Sequence, residues 1–212
     1  MIEEHQHRPV VLLGPSRSGK NEVAKYWYET YGITYGTSSW EACKVLVREQ
    51  LSMFYDLKYE SLEDCYHDRH NHREKWFRLI ATRAHYEPLW LASRIFAKAR
   101  VYIGLRGRAE YDAIKKTFNP WFVWVHPGDR VPMEPTSSNQ LTADDADRVL
   151  HNNRTLSEAL AVADEMALDL FSHAVHRKNM LDDEVKCRED LERQVEDLAK
   201  NLDRLRVHLR QT

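Results

Sequence analysis

Cysteine is scarce in this chain, with Cys43, Cys65 and Cys187 the three present in 212 residues, far apart and odd in number. That argues against a disulfide framework and fits a reducing compartment. No apolar run approaches the length of a membrane span, and Met1 to Pro9, with its Glu and His residues, does not read as a signal peptide. A soluble, cytoplasmic protein without a membrane partner is therefore expected. Charge of either sign is not in excess: the formal net charge is -2, so no global field draws the chain to nucleic acid or anionic lipid, and any phosphate recognition must be local. Internal repeats and low-complexity segments are absent too. The length allows one domain with a substantial core, and a second compact domain would be cramped.

What is there begins near the N-terminus. The apolar run Val10-Val11-Leu12-Leu13 is followed by Gly14-Pro15-Ser16-Arg17-Ser18-Gly19-Lys20 and then by a helix-like stretch from Asn21 to Tyr28. A buried strand, a Gly-x-x-x-x-Gly-Lys loop and a helix, in that order, form a P-loop, which turns backbone N–H groups and a helix N-terminus toward a polyphosphate. The glycines let successive amides curl inward, and Lys20 adds a mobile positive charge for the β and γ phosphates.

Helix 1 is expected from about Lys20 to Tyr31, stopping at Gly32, with a short extended piece at Ile33-Thr34-Tyr35. Ser38 or Ser39 can N-cap the next helix, whose apolar positions run from Trp40 to Phe54. After a polar break at Asp56 to Glu60, a capped helix starts at Ser61 and its pattern persists to Tyr86, before Pro88. Another helix covers Leu89 to about Ala99. Val101 to Leu105 and Trp121 to Val125 read as buried strands around a helix through Ile114, and Asp147 to His151 as a weak strand. His126 to Gln140 is a long Pro-rich loop and a candidate lid. Thr155 opens a helix to about His176. Alternating strands and helices imply an α/β fold, a parallel sheet with helices on both faces. Two parts follow: 1–178, containing an arm at about 37–87 and the lid at 126–140, and a helical segment, 179–212.

In that last segment Leu191, Val195, Leu198, Leu202, Leu205 and Leu209 alternate spacings of four and three, a heptad seam. Two readings stay open: an amphipathic helix folded back on the body, or a coiled coil joining two chains as a homodimer. Gln194 and Asn201 flank the seam where charges would set partner and orientation.

Phosphoryl transfer needs positive charge around three phosphates, supplied by the loop, its lysine, Mg2+ and several arginines. Arg69 and Arg73, four apart on a predicted helix, share a face with Trp76 and Arg78 just beyond, unless they form only a solvated basic face. Arg106 follows a strand end and Arg130 lies in the lid. Cys65, His67, His70 and His72 do not share one helical face, so no single-metal site is expected from them.

Five runs, taken in order, resemble the bacteriophage-type deoxynucleoside monophosphate kinases within the nucleoside monophosphate kinase group that includes dephospho-CoA kinase. They are Gly14 to Lys20; Asp68-Arg69-x-x-His72-Arg73-x-x-Trp76; Val101 to Arg106 with Glu110; Trp124-Val125; and Ala146 to Leu156. The resemblance covers Pro9 to Val175. It implies a P-loop NTPase sheet of five parallel strands, ATP on the P-loop and a (deoxy)nucleoside 5′-monophosphate under the arm and lid, in a host cytoplasm if the gene is a phage's. Carried over residue by residue, Gly14, Pro15, Ser16, Arg17, Ser18, Gly19, Lys20 and Asn21 would hold ATP, with Asn153 edging the adenine. Lys20, Arg69, Arg73, Arg106 and Arg130 would be catalytic, and Ser38, Trp40, Lys44, Asp68, Trp76 and Glu110 would contact the acceptor. Two positions depart from the pattern. Asn21 replaces the Ser, Thr or Asp expected after the lysine, and Gly104 stands where a strand-end carboxylate would help anchor Mg2+, leaving Glu110, Asp68 or water as substitutes. A P-loop kinase acting on another acceptor, a DNA base or small metabolite, and a catalytically weak nucleotide-binding scaffold are the competing readings.

Overall fold

The computed structural model describes residues 8–131, 139–153 and 155–211, together with their side chains except at 130, 156, 173 and 194–211. Residues 132–138 of the expected lid therefore lie outside the described residues.

Five strands make one parallel sheet: β1 Val10–Leu13, β2 Tyr35–Thr37, β3 Val101–Ile103, β4 Trp121–His126 and β5 Arg148–His151, in the spatial order β2-β3-β1-β4-β5. All four residues of β1 are buried, as an uninterrupted apolar run requires of a central strand covered on both faces. Its register sets Val11 between Tyr102 of β3 and Phe122 of β4. Alternation then sends Val11, Leu13, Tyr102, Phe122 and Trp124 into one core cluster with Ala42, Leu51, Leu91, Ile95 and Ile114. On the opposite face, helix α1 (Lys20–Tyr31) meets the first turns of a later helix. The Trp27 indole N–H donates to the Ala163 carbonyl at 2.8 Å, and its ring meets Phe171 edge-on at 5.4 Å.

Helix α2 (Ser38–Ala42) runs through a π-helical stretch, Cys43–Val47, into α3 (Arg48–Tyr55). Its N-cap is Thr37, whose hydroxyl accepts from the Trp40 amide; both expected caps, Ser38 and Ser39, lie inside the helix, and Ser38 donates to the Gly104 carbonyl at 3.2 Å. The extended piece likewise sits two residues later than expected, because β2 pairs at Tyr35↔Val101.

The long helix expected from Ser61 to Tyr86 is two helices. Ser61 caps α4 (Leu62–His67) through a capping box with Asp64; a 3₁₀ turn at Asp68–His70 follows, and α5 (Arg73–Tyr86) starts afresh. The Asp68 carboxylate causes the break by competing for local donors: it accepts from Asn71 at 2.6 Å, pairs with His72 at 3.2 Å and takes the Tyr59 hydroxyl at 2.6 Å. Arg69 and Arg73 thus do not lie on one continuous helical face.

Helices α6 (Trp90–Phe96) and α7 (Arg108–Phe118) complete the first layer. Helix α8 (Leu156–Gln211) opens on Thr155, whose hydroxyl and amide exchange bonds with Glu158, and it leaves helical φ/ψ at Phe171. The chain divides into two units, Met1–Ser172 and His173–Thr212. Among the described residues no helix is long and apolar enough to cross a membrane. Cys43 and Cys65 are buried free thiols, and Cys187 is exposed.

Candidate active site

In the order β2-β3-β1-β4-β5 the connections leave β1 and β4 in opposite directions, so a crevice opens at their carboxyl ends, where open α/β sheets receive ligands. The loop Gly14 to Gly19 fills that position. Gly14, Arg17 and Gly19 all have positive φ, at 134°, 62° and 95°. Gly19 is the N-cap of α1, so the first amides of a twelve-residue helix, unpaired within it, open onto the loop. At a φ of 95° a side chain on Gly19 would be strained, and its Cβ would have to displace the Asn152 amide.

Lys20, the first residue of α1, folds its ammonium back into the loop. It donates to the Gly14 carbonyl at 2.8 Å, the Pro15 carbonyl at 2.6 Å and the Ser18 hydroxyl at 3.1 Å. Ser18 is buried, Ser16 half-buried, and Arg17 and Asn21 are exposed at the loop's outer rim. An ammonium that bonds neutral loop oxygens inside a left-handed curl is suited to exchanging them for phosphate oxygens, because an anionic oxygen attracts it more strongly than a neutral carbonyl or hydroxyl does.

Asn152, just after β5, braces the loop from the far side: its side-chain amide donates to the Ser18 carbonyl at 2.9 Å, and its backbone N–H donates to the His126 carbonyl at 2.8 Å. Asn153 is exposed and backs onto Gly128, where a Cβ would lie 2.5 Å from the Asn153 Cβ. His126 and His151, partners in the β4–β5 register, stack at 5.6 Å beside this corner.

Where a strand-end carboxylate would be expected, β3 ends in Gly104 with φ 107°, and an added Cβ would come within 2.2 Å of the Ser38 hydroxyl oxygen. Both substitutes considered for Mg2+ are engaged elsewhere. Glu110 accepts from the Tyr102 hydroxyl at 2.7 Å, and burial lifts its carboxyl to about 7. Bonds from Tyr59 and Asn71 hold Asp68 below the usual carboxylate range. Among the described residues no three His, Cys, Asp or Glu converge as a metal site. Asn21, the residue after Lys20, offers a neutral side-chain oxygen to a cation whose remaining ligands are phosphate and water, a role compatible with Mg2+.

The arm collects aromatic and cationic groups. Trp40 meets Tyr66 edge-on at 5.1 Å, and Tyr66 meets Trp76 at 6.4 Å. Arg69 lies 3.9 Å over the Tyr66 ring and donates to the Tyr66 carbonyl at 2.8 Å. Lys44 is 5.9 Å from the Trp40 ring and 3.2 Å from Glu41, a buried carboxylate that also takes Lys98 at 2.5 Å. The indole N–H of Trp76 is buried and makes no hydrogen bond among the described residues. Trp40, Lys44, Arg69 and Trp76 are thus brought together. Arg73 is exposed at the start of α5, apart from the Tyr66 stack. Arg106 is half-buried and its carbonyl accepts from the Gln140 amide at 3.0 Å; the side chain of Arg130 lies outside the described residues.

Three participants were not singled out from the sequence. Tyr66 carries no spacing signal, and Asn152 stood beside the residue chosen. The third, Arg108, clamps Asp145 with two bonds of 2.6 and 2.8 Å and so ties α7 to the segment entering β5.

A P-loop α/β fold is what this sheet and loop define. No protein-family model matches the chain, and no curated protein matches it. Among solved structures it is similar to an unliganded sugar kinase from Janibacter sp. HTCC2649, at 18% identity and TM-score 0.41 over 80% of this chain and 96% of that one. It is also similar to a gluconokinase from Sinorhizobium meliloti 1021, at 17% identity and TM-score 0.39 over 78% and 97%. At these values neither neighbour assigns an activity to this chain.

Proposed function

We propose that this chain is an ATP-dependent phosphotransferase whose acceptor is a (deoxy)nucleoside 5′-monophosphate, which it converts to the diphosphate. The observation that carries the proposal is Lys20, whose ammonium turns back to bond Gly14, Pro15 and Ser18 inside the left-handed loop at the end of the central strand. The arm supports the choice of acceptor. Trp40 and Tyr66, both half-buried, offer ring edges to a base, with Trp76 buried behind them in the core, while Lys44 and Arg69 supply charge for a phosphate.

In the reaction an oxygen of the acceptor phosphate attacks the γ-phosphorus in line, the bond from that phosphorus to the β–γ bridging oxygen breaks, and ADP leaves with that oxygen. The chain's part is positioning and charge. Loop amides and Lys20 hold the donor phosphates, and Arg69 and Arg106 supply charge on the acceptor side. Mg2+, which the side-chain oxygen of Asn21 would help to hold, would supply charge neutralisation on the donor phosphates.

An ADP-release assay tests this, with the four common deoxynucleoside monophosphates and gluconate as acceptors, for wild type and Lys20→Ala. The expected result is ADP formed with at least one mononucleotide, none above background with gluconate, and at least a hundredfold loss in Lys20→Ala. Turnover with gluconate alone would overturn the acceptor and keep the donor site. ATP binding without turnover on any acceptor would make the chain a nucleotide-binding scaffold. Phosphate release without an acceptor would make it a hydrolase.

A further inference from the structure

Helix α8 continues through the second unit to Gln211 and carries large apolar side chains that stand half exposed: Met180, Leu181, Val185 and Leu191. From Leu191 the sequence places an apolar residue at alternating steps of four and three, through Val195, Leu198, Leu202 and Leu205 to Leu209. That is the narrow seam of a coiled coil; a helix packed on a globular core carries a broader stripe. With Leu191 at position d and Val195 at a, the seam is regular over three turns of the repeat.

Charge along the segment is unevenly divided. Residues 181–197 contain eight acidic and three basic residues, a net of -5, whereas residues 198–212 contain one acidic and four basic, a net of +3. A well-matched partner therefore offers the same period with the opposite gradient. A second copy running the other way has both.

We propose that α8 pairs with α8 of a second copy in an antiparallel two-stranded coiled coil centred near residue 200. Antiparallel pairing sets each a position opposite a d position. Leu191 then shares a layer with Leu209 of the second copy, Val195 with Leu205, and Leu198 with Leu202, so all six seam positions are used. The same register sets Glu192 beside Arg206 of the second copy, once on each side of the two-fold axis, and Asn201 beside its own counterpart. Glu192 already accepts Arg188 of its own helix at 3.0 Å, and a carboxylate has lone pairs for both. Parallel pairing would set the acidic halves side by side. Its flanking pairs would be Cys187 with Glu192, Gln194 with Ala199 and Asn201 with Arg206, none of them an acid with a base.

The full chain carries its own probe. Cys187 is exposed while Cys43 and Cys65 are buried, so a thiol-reactive spin label goes to one site per chain. In the antiparallel register the two Cys187 positions are about 26 residues apart along the axis, roughly 40 Å at 1.5 Å per residue; in a parallel pair they face each other at about 10–15 Å. Sedimentation of the full chain should give twice 25.1 kDa at tens of micromolar, and pulsed EPR a separation near 40 Å. Glu192→Arg should weaken the dimer about tenfold, with Glu192→Arg/Arg206→Glu restoring it. A monomer at 50 µM, a label separation near 12 Å, or a double variant no tighter than the single one would each overturn the proposal.

Discussion

Glu110 sits in the first turn of α7, with its carboxylate on the Tyr102 hydroxyl, and replacing it with glutamine should stabilise the protein increasingly as pH rises above about 4.5 and not below. Burial raises its carboxyl from 4.5 to about 7, and the bond from Tyr102 only partly opposes this. Between those values the unfolded chain has released the proton while the folded chain still holds it. Folding stability therefore falls as pH rises through this window and levels off above about 7. The difference of 2.5, at 1.36 kcal/mol for each unit of pKa, makes the total loss about 3 kcal/mol. Glu110→Gln keeps an oxygen for the Tyr102 hydroxyl and has no proton to lose. Urea unfolding followed by circular dichroism should give nearly equal stabilities for the two proteins at pH 4.5. At pH 8 the variant should be the more stable by up to about 3 kcal/mol, or roughly 6–12 °C in Tm for a chain of this size. An equal gap at both pH values, or a variant weaker at pH 8, would refute the reasoning. A raised acceptor KM in Glu110→Gln, with no pH-dependent stability difference, would instead place Glu110 in contact with acceptor.

Gly19→Ala forces a side chain into a φ of 95° and against the Asn152 amide; it should cost about 1–3 kcal/mol in thermal unfolding and weaken ATP binding, and unchanged values would contradict the loop geometry. Glu41→Gln should cost about 1–2 kcal/mol at pH 7, a figure tempered by the exposure of Lys98. Although burial alone would raise the Glu41 carboxyl, Lys98 and Lys44 hold it below the usual range. Its stabilisation is therefore complete above that range and disappears as pH falls through the lowered value, so the gap between Glu41→Gln and wild type should close at low pH. Asn152→Ala should raise the ATP KM with little change in Tm, since it removes one brace from the Ser18 carbonyl; an unchanged KM would show the brace to be idle.

The parts of the fold carried by contiguous chemistry were legible in the sequence. Val10–Leu13 and residues 121–125 are unbroken apolar runs, and the glycines and lysine after β1 have fixed offsets. Parts settled by one side chain reaching across space were not. Asp68 breaks the helix between Arg69 and Arg73 by taking Asn71, His72 and a hydroxyl from Tyr59, and no Gly or Pro marks the place. Thr37 takes the cap because Ser38 is drawn to the end of β3. Asn152 and Asn153 differ by one position in a coil, and only the β5 register decides which of them reaches the P-loop.

Isothermal titration with a non-hydrolysable ATP analogue and Mg2+, comparing wild type with Lys20→Ala, measures the loop's proposed task without assuming any acceptor. One site per chain is expected, with binding weakened about 10- to 150-fold in the variant, the equivalent of losing a charge-assisted bond of about 1.5–3 kcal/mol. No binding by wild type, or equal affinity in both proteins, would contradict the account.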